Sequence, residues 1–326
     1  MKKLSILLMT LGFVLFLAAC GSADSGETGE SGETAESGAA NGESESSETV
    51  TISHELGETE VVKNPQNVVV FDYGILDTLD ELGIDVTGVV QSSTVPSYLE
   101  EYAGEDYENI GSLKEPDFEK IAEINPDVII ISARQASLYD QLSEIAPTIH
   151  LAVDEQRYME SFKENMQTVG EIFGKEAEIE EALAEIDEKI ESLQEATADM
   201  DEKALIVLAN DDRISAYGSS SRFGIIHDEL GVPEADENIE ASTHGMNVSF
   251  EYVMEQDPDI LYVIDRAGVV GGETTAEELV ENELTENTTA YQNDNIIYLN
   301  PEYWYLSGGG LQSVMQMVED IEASIE

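Results

Sequence analysis

Cysteine is almost missing: Cys20 stands alone in 326 residues. A single thiol can form neither an internal disulfide nor a multi-thiolate metal site. Basic residues are scarce too, with 14 Lys and Arg against 70 Asp and Glu and a formal net charge of −56. That balance excludes nucleic acid as a partner, because phosphate binding is built on cationic contacts. It also implies strong self-repulsion in dilute buffer, which salt would screen, so a saline or alkaline setting is expected. No HExxH, GxSxG or P-loop sequence occurs, and Ser219, Ser220 and Ser221 have no evident base beside them. Lacking a catalytic constellation, the chain is expected to be a binding protein and not an enzyme.

Long apolar runs are scarce as well. The one at the start, in MKKLSILLMTLGFVLFLAACGS, follows Lys2 and Lys3 and is almost wholly apolar over 5–18. It falls short of the roughly 20 residues a membrane-spanning helix needs and reads as a secretion signal. The sequence Leu17-Ala18-Ala19-Cys20 resembles the lipobox of bacterial lipoproteins, so 1–19 is expected to be removed and Cys20 to carry the lipid. Residues 21–49 are Gly, Ser, Glu, Thr, Ala, Asp and Asn with no aromatic. Such a segment cannot offset its ordering entropy by burial. With Cys20 it forms an acidic tether, 20–49, whose typical end-to-end distance is roughly 30 Å. The expected location is the extracytoplasmic face of a cell membrane. From Val50 onward 62 acids remain against 12 Lys and Arg, a net −50.

The remaining 277 residues fit two lobes better than one core. Short β-branched runs at 68–71, 86–90, 128–132 and 148–151 alternate with helix-like patterns at 75–82, 117–124, 135–145 and 158–173. Such alternation argues for α/β lobes with mostly parallel sheets. Ile179, Leu183, Ile186, Ile190 and Leu193 then recur at spacings of three and four, the mark of one long amphipathic helix over 175–201. The βα pattern restarts at 203–209 and continues through 222–230, 250–256, 260–264, 276–284, 296–299 and 311–325. The expected organisation is an N-terminal lobe over 50–174, a single joining helix over 175–201 and a C-terminal lobe over 202–326, with a ligand cleft between the lobes.

One phrase is written twice. FEKIAEINPDVIIISAR at 118–134 and FEYVMEQDPDILYVIDR at 250–266 share six of seventeen positions, and both end on arginine. Pro126 and Pro258 stop a helix in each copy, and a buried strand follows. Arg134 and Arg266 lie just past those strands. Ligands of open α/β sheets bind outside the carboxyl ends of the strands. Arg213, in NDDRISAYGSSSRFG, also follows a strand. Three of only five arginines, in so acidic a chain, are therefore expected to hold an anion with their planar, always-charged forks. Neutralising nearby carboxylates is the alternative.

Two further groups stand out. The THG sequence at 243–245 places His244 in a loop, and PEYWYLSGGG at 301–310 follows the expected strand 296–299. Alternation would put Tyr303 and Tyr305 on one side and Trp304 on the other. Phenolate and imidazole both suit ferric iron; an aromatic cluster packing a domain edge reads the same residues. His54, His150 and His227 are expected to be structural.

Together, NDDRISAYGSSSRFGIIHDELGV, the THG loop, VIDR and NPEYWYLSGGG resemble the substrate-binding lipoproteins of iron–siderophore ABC importers, in the ferric-catecholate, petrobactin-type branch. The resemblance covers residues 50–326. It implies two α/β lobes joined by a long helix, with a ferric siderophore between them and no tightly bound cofactor. It also implies that Arg134, Arg213 and Arg266 hold catecholate oxygens, that Trp304 lies against the ligand, and that His244 and Tyr305 ligate iron. Glu119 and Glu251 would dock on the ABC permease, and the protein would act as a monomer. Haem or a corrinoid as ligand, a surface-tethered enzyme, and an acidic spacer or adhesin are the competing readings.

Overall fold

A computed structural model describes residues 48–325. The leader 1–19, Cys20 and the tether up to residue 47 lie outside the described residues. The described chain opens on a hairpin, β1 (Thr49–His54) paired antiparallel with β2 (Gly57–Val62). Only Ile52 and Val61 of these strands are buried. The pair is too rich in charge to be read as strands from sequence alone.

The first sheet runs β5-β4-β3-β6-β7. Its members are β3 (Val68–Val70), β4 (Gly88–Val89), β5 (Glu108–Asn109), β6 (Val128–Ile131) and β7 (Thr148–His150), all parallel. Every residue of β3, β6 and β7 is buried, as expected of parallel strands covered on both faces. The second sheet runs β10-β9-β8-β11-β12. Here β8 (Ala204–Asn210), β11 (Ile260–Asp265) and β12 (Ile296–Leu299) are parallel, while β9 (Arg213–Tyr217) runs antiparallel to both β8 and β10 (Met246–Val248). The α/β class with mostly parallel sheets is thus observed.

Between the sheets run the helix Tyr158–Phe173, ended by Gly174 at φ 64°, and the 22-residue helix Glu176–Thr197. The latter buries Ile179, Leu183, Ile186, Ile190 and Leu193 along one stripe. Three stretches expected as continuous helix are shorter or broken. The stretch 135–145 is a 3₁₀ segment, Ala133–Leu138, followed by Tyr139–Ser143. The stretch 222–230 holds only Ile225–Asp228, and 276–284 holds Ala276–Val280.

The repeated phrase has a structural basis. Its helices, Phe118–Ile124 and Phe250–Gln256, end on left-handed Asn125 (φ 52°) and Asp257 (φ 44°), immediately before the prolines. Asn and Asp tolerate that conformation better than most residues. The next residue then pins the neighbouring central strand. Asp127 Oδ2 accepts the amides of Gln66 and Asn67 at 2.8 and 2.9 Å, just ahead of β3. Asp259 Oδ2 accepts the amide of Lys203 at 2.9 Å, just ahead of β8.

The chain after β12 forms a π-helical turn, Glu302–Ser307, then three glycines and the helix Leu311–Ile325. That helix abuts the first-lobe helix Tyr73–Glu81. Thr78 Oγ1 accepts the Leu311 amide at 3.1 Å, and Asp77 Oδ2 accepts the Ser313 amide at 3.1 Å. A Cβ at Gly310 would overlap both Asp77 and the Gly74 carbonyl, so only glycine passes there.

Candidate ligand site

Tyr305 stands at the centre of the site. Arg266, the first residue after β11, donates its Nε to the Tyr305 hydroxyl at 2.8 Å and also bonds the Asn210 side-chain oxygen at the end of β8. Arg222 donates Nη2 to the Tyr305 carbonyl at 2.7 Å, and its guanidinium lies 4.2 Å from the ring centroid. From the first lobe, Arg134 donates Nη2 to the same carbonyl at 3.4 Å. Arg134, Arg222 and Arg266 are half-buried. None has a carboxylate within 4.0 Å among the described residues; the arginine ion pairs found there belong to Arg157 and Arg213. Neutralisation of local carboxylates is therefore not what these three side chains do.

Charge without a counter-ion shifts the neighbouring groups. Burial pushes Arg222 below its ordinary pKa, and Arg134 beside it pushes the same way. Burial pushes the Tyr305 phenol up, but Arg222, Arg266 and Arg134 together outweigh it and hold the phenol below its usual value. The phenol oxygen is thereby biased toward the anionic form that binds a hard cation.

A cavity of about 190 Å³ opens beside this cluster, lined among others by Arg213, Arg222, Arg266, His244 and Tyr305. His244 is exposed, in the turn before β10. Arg213 stands at the rim, its side chain largely exposed and 3.6 Å from Asp212. A wider cleft of about 800 Å³, lined by both lobes, adjoins it, and Thr243 lines both spaces. The structure thus brings Arg134, Arg213, Arg266, His244 and Tyr305 to one region. Glu119 and Glu251 are exposed in the first turns of their helices, at equivalent positions of the two lobes and away from the residues lining either space.

Trp304 is a correction. The residue is 2% exposed, and its indole N–H donates to Asp320 at 2.9 Å. It packs the C-terminal helix and does not face the ligand space. Side-chain alternation holds for an extended strand; the π-helical turn fans the three aromatics apart instead. Tyr303 stacks on Tyr98 at 4.4 Å. Arg222 is the residue that sequence reading missed, because it was placed inside an expected helix. A signal was present. Arg222 has no acid within four positions on either side, whereas Arg157 has three.

Comparison with known proteins decides the family, since its sequence profile, described as periplasmic binding protein, matches residues 68–303. The chain belongs to the periplasmic binding protein family. As a member, it is a binding protein and not an enzyme. It is 43% identical to the petrobactin-binding protein YclQ of Bacillus subtilis, across 100% of both chains. The crystal structure of YclQ superposes with a TM-score of 0.83 at 47% identity, covering 86% of this chain and 99% of that one. The periplasmic catecholate-siderophore binding protein VctP of Vibrio cholerae superposes at 0.80 with 37% identity, over 85% and 100%. The ferric-anguibactin-binding protein FatB of Vibrio anguillarum is 34% identical over 83% of this chain and 86% of that one.

Proposed function

We propose that this protein captures a ferric siderophore, of catecholate type, and delivers it to an ABC permease for iron import. One observation carries the reading: three arginines from two lobes converge on Tyr305 with no carboxylate partner among the described residues, in a chain of net charge −56. Converging cations are unfavourable unless an anion joins them. A ferric catecholate carries net negative charge and offers oxygens that suit guanidinium forks. The names borne by YclQ, VctP and FatB support the same class. In this reading Arg134, Arg222 and Arg266 grip the catecholate oxygens, with Arg213 at the rim. His244 and Tyr305 take iron positions that the siderophore leaves open. The iron is cargo, and no resident cofactor is needed. Cys20 carries the lipid that holds the monomer at the membrane, and Glu119 and Glu251 meet the permease.

The test is a titration followed through Trp304, the single tryptophan, buried one residue from Tyr305. Charge-assisted hydrogen bonds contribute about 1.5–3 kcal/mol each. Arg222→Ala or Arg266→Ala should therefore weaken binding of a ferric bis-catecholate by about tenfold to a hundredfold. A neutral ferric hydroxamate should lose much less. Equal losses for the two complexes would show that the arginines support the fold and do not read charge.

A further inference from the structure

Arg266 is held at two points, and both acceptors are neutral. Its Nε donates to the Tyr305 hydroxyl at 2.8 Å, and its Nη1 donates to Asn210 Oδ1. A guanidinium can only donate, so the Asn210 amide must turn its oxygen toward Arg266. With Nε and Nη1 engaged, the plane of the fork is fixed and Nη2 is left for a further acceptor. Asn210 and Arg266 both line the smaller cavity. Asn210 is the last residue of β8 and pairs in register with Arg213 of β9, so the sheet fixes its backbone.

Carboxylates lie next to both residues in sequence and are engaged elsewhere. Asp211 follows Asn210, and Asp265 precedes Arg266. Asp211, left-handed at φ 54°, accepts the Glu273 amide on Oδ1 at 2.9 Å. Asp265 accepts the Gly268 amide on Oδ1 at 2.9 Å and the Ala276 amide on Oδ2 at 3.0 Å. No carboxylate comes within 4.0 Å of Arg266 among the described residues. Aspartate has nearly the shape of asparagine and accepts from a guanidinium about twice as strongly. As a mere anchor for Arg266, aspartate would serve better at position 210, in a chain with 70 Asp and Glu. An amide is the better choice where the fork must be oriented and its charge must stay uncancelled.

We infer that Asn210 is a positioning residue that fixes the Arg266 fork without neutralising it, and so sets the preference of the site for an anionic complex. This rests on the ferric-catecholate reading and deepens it: Arg266 grips the cargo, and Asn210 acts through Arg266.

The test is the rank order of variants at position 210 in titrations with a synthetic ferric bis-catecholate, followed through Trp304. Asn210→Asp keeps the shape and the anchor but pairs the charge. It should weaken binding by about tenfold to a hundredfold, as far as Arg266→Ala does. Asn210→Ala and Asn210→Ser loosen the fork but leave its charge, and should lose about threefold. The melting temperature of Asn210→Asp should equal or exceed that of Asn210→Ala, because the new ion pair holds Arg266 in place. Anchoring alone predicts the reverse order, so an Asn210→Asp protein that binds like the wild type, or better than Asn210→Ala, would overturn the inference and leave the catecholate reading standing. Should Asn210→Asp fail to fold, the neutral variants decide: losses as large as that of Arg266→Ala would show that residue 210 acts by shape and not by charge. If the wild type does not bind the probe, the catecholate reading fails, and the inference with it.

Discussion

A phenol in water gives up its proton near pH 10. At Tyr305 burial raises that value, while Arg222, Arg266 and Arg134 more than reverse the rise. Replacing the hydroxyl removes one oxygen and almost no volume. A siderophore with three bidentate arms fills all six ferric positions, and one with two arms fills four. Tyr305→Phe should therefore weaken a two-armed ferric catecholate by about tenfold or more, abolish the phenolate-to-iron contribution to its visible band, and leave a three-armed complex nearly unchanged. Equal weakening with an unmoved spectrum would make Tyr305 a packing residue. A second residue is unusual in another way. Asp77 is fully buried between the helices Tyr73–Glu81 and Leu311–Ile325, accepting from Ser313 N–H and from Tyr98 at 3.3 Å, and burial pushes its carboxyl up to about 7. Between the unfolded value near 4 and about 7 the folded state holds the extra proton, so stability falls as pH rises. The slope is at most about 1.4 kcal/mol per pH unit. Asp77→Asn cannot titrate, so the wild-type melting temperature should drop relative to the variant from pH 4.5 to 7.5. A constant difference across that range would show that Asp77 does not exchange its proton there.

The π-helical turn 302–307 is the element on which the site depends, because both lobes hold it. From the first lobe Ser97 bonds Glu302, Tyr98 bonds Ser307 at 2.6 Å and stacks on Tyr303, and Arg134 reaches the Tyr305 carbonyl. From the second come Arg222 and Arg266. None of this was legible in PEYWYLSGGG, since its partners lie far away in sequence. The repeated phrase was legible as helix, stop and strand, because periodicity and proline act locally. The work of Asp127 and Asp259 was not, because each bonds amides 56 to 61 residues away. The arginines were visible from their rarity and their place after strands, and Arg222 escaped because the helix pattern absorbed it. The equivalence of the repeats also carries a prediction. Glu119 and Glu251 are exposed at matching places on the two lobes, outside the ligand space. Charge reversal at either should leave ferric-siderophore affinity within about twofold, since the side chains are solvated, and should slow uptake in cells. Loss of affinity matching the loss of uptake would remove these residues from the docking role.

At the scale of the whole molecule, the net charge and the site pull in opposite directions. The chain from Val50 onward carries 62 acids against 12 Lys and Arg, spread over the surface of both lobes and the joining helix. An anionic ferric complex approaching from bulk solution therefore meets repulsion before it meets arginine. The ranges differ. Surface repulsion acts through water and dies away over the Debye length, about 30 Å at 0.01 M salt and about 3 Å at 1 M. The guanidiniums of Arg134, Arg222 and Arg266 act within hydrogen-bond distance in a half-buried site, where salt screens far less. Added salt should then remove the barrier and spare the grip. The association rate of an anionic ferric catecholate, measured by stopped-flow quenching of Trp304, should rise several-fold between 20 and 500 mM NaCl, while the dissociation rate changes little. A neutral ferric hydroxamate should show no such rise. If the association rate of the anionic complex falls with salt, the arginine cluster governs the field well outside the cleft, and the acidic surface is electrically silent toward the ligand.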